Sequence, residues 1–71
     1  MRGSEFIHKI ERLGRLRGVA VIFDKRHGKG SHGTLIYGGR KTVVKDRKKE
    51  LGPGLLHKML SDLGLGRDDI S

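Results

Sequence analysis

The chain has no cysteine, no tryptophan and a single proline, Pro53; its only aromatic residues are Phe6, Phe23 and Tyr37. Without cysteine, a disulfide staple and a cysteine-ligated zinc site are both excluded. So few aromatics argue against a platform of stacked bases like that of RNA-recognition motifs. Acids are scarce too, eight Asp and Glu against sixteen Lys and Arg. Asp24 and Asp46 stand alone in the middle of the chain, whereas a two-metal nuclease usually needs several carboxylates. No metal and no cofactor is expected. No apolar run approaches the ~18–20 residues that span a bilayer. The opening Met1-Arg2-Gly3-Ser4 lacks the apolar region of a secretory signal. The expectation is therefore a cytoplasmic chain with no membrane partner.

What is present fits one small domain. At 71 residues, a chain buries only about 60% of its unfolded surface, so its stability is marginal and a bound partner would raise it. Hydrophobic and charged residues each make up 34% of the chain. The apolar residues are clustered, unlike those of a disordered basic tail. The net charge of +8 sits in the middle: residues 25–49 carry +8, while the flanking segments carry +2 and −2. A merely solvated face can show such a run, but this one surrounds a glycine-rich loop. A field so concentrated suits a polyanion, nucleic acid first.

Local patterns place the elements. Ser4 reads as a helix cap, with Glu5 in the first turn. Phe6, Ile10 and Leu13 recur at helical spacing, Ile7 lies beside them, and Gly18 closes a helix over about 4–16. Val19-Ala20-Val21-Ile22-Phe23 reads as a strand. Gly33-Thr34-Leu35-Ile36-Tyr37 and Lys41-Thr42-Val43-Val44-Lys45 read as two more, joined by the hairpin signal Gly38-Gly39. Gly52-Pro53 opens a second helix. Its stripe of Leu55, Leu56, Met59, Leu60 and Leu63 should face the sheet, and Gly64 ends it. Residues 66–71 read as a frayed acidic tail. The expected class is α+β: two helices on one face of a three-stranded antiparallel sheet, the other face left open.

The segment Lys25-Arg26-His27-Gly28-Lys29-Gly30-Ser31-His32-Gly33 carries the chemistry. Its glycines allow a phosphate to approach the backbone N–H groups, and Lys25, Arg26 and Lys29 add positive charge. His32 opens the second strand and can move a proton near neutral pH. By itself this pattern is a weak catalytic signal, since glycine loops are generic and a lone histidine is usually a polar strand residue. His8 and His57 read as solvent-facing helix residues; His27 could touch phosphate. Tyr37 reads as a half-buried strand residue.

The element order, the Gly30-Ser31-His32 tripeptide, the strand ending in Thr42-Val43-Val44 and the run Lys49-Glu50-Leu51-Gly52-Pro53-Gly54-Leu55-Leu56 through Leu63-Gly64-Leu65 together resemble HicA toxins. These are the small mRNA interferases of bacterial type II toxin–antitoxin pairs. The start, Ser4-Glu5-Phe6-Ile7, is similar to that family's first helix, and the resemblance covers about residues 1–66. It implies a double-stranded-RNA-binding-domain-like fold, ribonuclease activity on mRNA with His32 essential, and a HicB-type antitoxin as protein partner. Where many members carry Pro-x-His after the third strand, this chain has Lys45-Asp46-Arg47, so no second histidine is available there.

That chemistry is physically coherent. RNA carries its own nucleophile, the 2′-OH. Cleavage needs a group that takes its proton, a group that protonates the 5′-oxygen, and cations at phosphorus. His32 can be the base or the acid. Lys29 and the backbone N–H groups of residues 30–32 can stabilise the phosphorane. The expected RNA-binding set is Lys25, Arg26, Lys29, Gly30, Ser31, Arg40, Lys41, Lys45 and Arg47. Two other readings stay open: a non-catalytic RNA-binding module of the same fold, and a basic adaptor for an acidic protein.

Overall fold

The computed structural model describes residues 1–26 and 32–70. Its elements are helix α1 (Gly3–Arg17), strands β1 (Val21–Asp24), β2 (Gly33–Tyr37) and β3 (Arg40–Val44), helix α2 (Pro53–Asp62), and a short 3₁₀ turn at Arg67–Asp69. The strands form one antiparallel sheet in the order β1-β2-β3. Val21 lies opposite Tyr37 across the first pair, and Gly33 opposite Val44 across the second. The α+β arrangement of helix, three-stranded antiparallel sheet and helix matches the expectation from sequence.

Alternation along β2 sorts its side chains: Leu35 and Tyr37 are buried, Thr34 and Ile36 only partly. The buried side meets Phe6, Ile10 and Leu13 of α1 and Leu56, Met59 and Leu60 of α2 in one core, which Leu63 joins from just beyond α2. Both helices therefore cover one face. The other face leaves Ile22 and Val43 in solvent.

Helix α1 crosses β1 closely because Gly14 has no side chain. A Cβ there would lie 2.7 Å from the Val19 carbonyl oxygen and run into the Val21 side chain. A helix-interior glycine costs about 1 kcal/mol against alanine, and here close approach is what it allows.

Four local expectations are corrected. The N-cap is Arg2, not Ser4. The free N–H groups of Gly3 and Ser4 donate to the carbonyls of Lys49 (3.2 Å) and Arg47 (2.9 Å), so a tertiary contact replaces the side-chain cap. Strand β1 starts at Val21, because Gly18 takes a left-handed conformation and the Val19 N–H still bonds back to the Gly14 carbonyl at 2.8 Å. Leu55 is not in the sheet-facing stripe. It is 46% exposed, and the buried stripe runs Leu56, Met59, Leu60 and Leu63, the i, i+3, i+4, i+7 pattern of one helix face. The tail is folded through residue 70: Ile70 is only 8% exposed, and Arg17 Nη2 donates to Asp69 Oδ1 at 2.5 Å.

The connection between β3 and α2 is tied down at its far end. Leu51 N–H donates to the Met1 carbonyl at 2.7 Å, Arg2 pairs with Glu50 across an isolated β-bridge, and the Met1 ammonium pairs with the Glu50 carboxylate. This seam fixes where residues 45–51 run beside α2.

Candidate nucleic-acid interface

His32 immediately precedes β2 and Lys45 immediately follows β3. They flank the Gly33–Val44 pair, so the register sets them across from one another. Strand alternation puts both on the outer side, and both are exposed. Gly33 is buried between them and the core, because the Phe23 ring packs over it: a Cβ at 33 would stand 2.5 Å from Phe23 Cζ. The glycine after His32 thus seats β2 against Phe23 and fixes the strand that carries the histidine.

His32 and Lys45 open onto a groove of about 680 Å³ that also receives Val43 from β3, Lys49 and Leu51 from the connection, and Leu55, Lys58 and Met59 from α2. Three lysines thus share the groove with the histidine, Lys45 and Lys49 from the connection after β3 and Lys58 from α2. Asp46 and Glu50 also line the groove. Asp46 Oδ1 accepts the Lys48 N–H at 2.9 Å, and Glu50 is paired with the Met1 ammonium. Lys58 Nζ donates to Asp62 Oδ2 at 3.1 Å, and that oxygen also accepts from the buried Thr42 hydroxyl at 2.8 Å. The Thr42 hydroxyl first, and then Lys58, hold the Asp62 carboxyl below its ordinary pKa. Asp62 thus links β3 to α2 and steadies Lys58 at the groove.

Of the expected RNA-binding residues, only Lys45 joins His32 in the described lining of this groove. Lys41 is exposed but lies four residues back along β3, roughly 13 Å away at ~3.3 Å per residue. Arg40 donates from Nε to the Asp62 carbonyl at 3.1 Å and serves the end of α2. Arg47 lies over the Phe23 ring, 5.5 Å from its centroid. Arg26 grips Asp24 with contacts of 2.8–3.2 Å, and that carboxylate raises the pKa of its guanidinium. Lys25 is exposed just after β1. Lys29, Gly30 and Ser31, and His27 with them, lie outside the described residues. His8 and His57 are exposed on their helices, as the sequence implies.

The sequence reading missed Lys49 and Lys58 as groove residues. Lys58 sits three residues after Leu55, on the same flank of α2, but that signal needs the knowledge that Leu55 faces outward. Lys49 is brought in by the β-bridge between residues 2 and 50, which no local pattern announces. Among the described residues, no group of three or more His, Cys, Asp or Glu could hold a metal ion. None of the helices described is long and apolar enough to cross a membrane.

No family model, no curated protein and no solved structure matches this chain. What the groove can do follows from its own residues. It brings an exposed imidazole, three ammonium groups, two carboxylates and the apolar side chains of Val43, Leu51, Leu55 and Met59 into one concavity.

Proposed function

We propose that this protein is a metal-independent endoribonuclease of the HicA toxin kind, cleaving mRNA in the cytoplasm and inhibiting translation, with a double-stranded-RNA-binding-domain-like fold and a HicB-type antitoxin as partner. The observation that carries the reading is His32, exposed at the wall of a groove that also holds Lys45, Lys49 and Lys58. A phosphodiester lying against those ammonium groups has its charge matched as it grows in the transition state. His32 takes the proton of the neighbouring 2′-OH, and the 2′-oxygen attacks phosphorus. The bond to the 5′-oxygen breaks, and that oxygen takes a proton from solvent, which reaches this open groove. The products are a 2′,3′-cyclic phosphate and a 5′-hydroxyl. DNA, without the 2′-OH, has no nucleophile for this route.

One observation favours the second reading, an RNA-binding module that does not cut: His32 is the only imidazole in the described lining of the groove. The two separate in one experiment. A defined RNA and the DNA of the same sequence are incubated with the protein in excess EDTA. RNA is cut, DNA is not, and His32→Ala lowers cleavage by about 10²–10⁴-fold while RNA affinity and Tm stay close to wild type. Full cleavage by His32→Ala refutes the catalytic role. Binding without cleavage by the wild type establishes the module instead. Antitoxin placed over the same cations competes with RNA for one site; a ternary complex in a gel shift refutes that competition.

A further inference from the structure

We propose, resting on the ribonuclease reading, that the groove beside His32 is a base-recognition subsite: it holds one unpaired nucleotide with its base against Leu55, Val43 and Met59 and its phosphate on the lysine rim. Singly exposed leucines need no explanation. Here, however, Leu55 at 46% and Val43 at 54% exposure open onto the same groove, with the buried Met59 also in its lining. Exposed apolar surface in a groove that lysines also line calls for a ligand that is part apolar and part anionic. Charge sets the sign. Three lysines, Lys45, Lys49 and Lys58, line the groove against two acids, Asp46 and Glu50; Glu50 is matched by the Met1 ammonium and Lys58 by Asp62, which leaves Lys45 and Lys49 to outweigh Asp46.

A nucleotide has this division, an uncharged planar base joined through ribose to phosphate. Size favours it over a protein chain. The groove, about 680 Å³, is of the order that takes a small-molecule ligand. A protein interface spreads over roughly 800 Å² of each partner. The base must be unpaired, because a base in an A-form duplex shows only its edges and cannot lay its face on Leu55. Cleavage is then confined to single-stranded RNA, and the nucleotide at the cut is selected by its fit to an aliphatic surface.

The test uses the full chain as His32→Ala, so that binding is read without turnover. The four nucleoside 3′-monophosphates and ribose 5-phosphate are titrated and followed by amide chemical shifts. At least one nucleotide binds about tenfold more tightly than ribose 5-phosphate, what covering about 55 Å² of apolar surface supplies at ~25 cal/mol per Å². The shifts centre on Val43 and Leu55. Adding Leu55→Ser removes the tenfold advantage and leaves ribose 5-phosphate affinity unchanged; Leu55→Met restores it. Val43→Ser, at a second exposed position, repeats the loss. Equal affinity for all five ligands, or shifts centred elsewhere, overturns the subsite. So does an acidic amphipathic peptide that binds this groove when no nucleotide does. If nucleotides bind as stated but the wild type cuts no RNA, the ribonuclease reading falls and the subsite stands.

Discussion

Single residues at this site are held by unlike neighbours, and their substitutions separate accordingly. Gly33 has no room for a side chain because Phe23 covers it. Gly33→Ala forces the ring or the strand to move, which costs typically about 1–3 kcal/mol for an overpacked position. A urea titration should show this loss of stability, together with weaker cleavage, since His32 directly precedes β2. Thr42→Val keeps the shape of a buried residue and removes the hydroxyl that Asp62 accepts. The folded pKa of Asp62 is depressed. Its contribution is therefore present above the unfolded value of about 3.9 and is lost as pH falls through the lower folded value. Thr42→Val should lower Tm at neutral pH, with the difference from wild type shrinking in melts taken below about pH 4. A constant difference across that range would show that Asp62 is not the group concerned.

At the scale of elements, the chain closes its helices with distant backbone. Helix α1 begins on the carbonyls of residues 47 and 49, and its last turn reaches Asp69 through Arg17. The segment after α2 is thus part of the fold. Ile70 is its apolar anchor, and Ile70→Ala should cost about 2 kcal/mol, the low end for a buried isoleucine cut back to alanine. Chemical denaturation measures it, and a change within error would mean that the segment contributes nothing. Periodicity made the helices and strands legible, because 3.6- and 2-residue repeats are local properties. It does not reveal which flank of α2 meets the sheet, and by period alone Leu55 belongs with the inward stripe. Nor did a run of polar and glycine residues after α2 disclose Ile70 as a core residue, since one apolar side chain has no period.

For the whole molecule the question is where the positive field acts. The formal charge of +8 is a sequence property, but several of its members are engaged inside the fold. Arg26 holds Asp24, Arg40 holds the end of α2 and Arg17 holds Asp69. Lys45, Lys49 and Lys58 line the groove that His32 opens onto, and Lys58 is also paired with Asp62. Reversing those three to Glu should lower the slope of log affinity for single-stranded RNA against log salt by about 2, at ~0.7 per phosphate contact. Reversing Lys25 and Arg26 should change it by about 1.4 at most, for two possible contacts at ~0.7 each. Filter binding at several salt concentrations reads both. An equal change in the two variants would move the RNA face toward the β1–β2 connection.

The sequence alone determined the α+β class and the order of helix, three strands and helix, and it singled out His32 as the candidate for proton transfer. Each follows from what is present along the chain or from a period within it. Only the tertiary structure decided which cations accompany the histidine. Lys49 and Lys58 share its groove because the chain's first residues pair with the connection before α2 and because Asp62 ties α2 to Thr42 on β3. Those contacts join residues 20 to 49 positions apart. No local pattern encodes a pairing at that range, because it is set by how the elements pack.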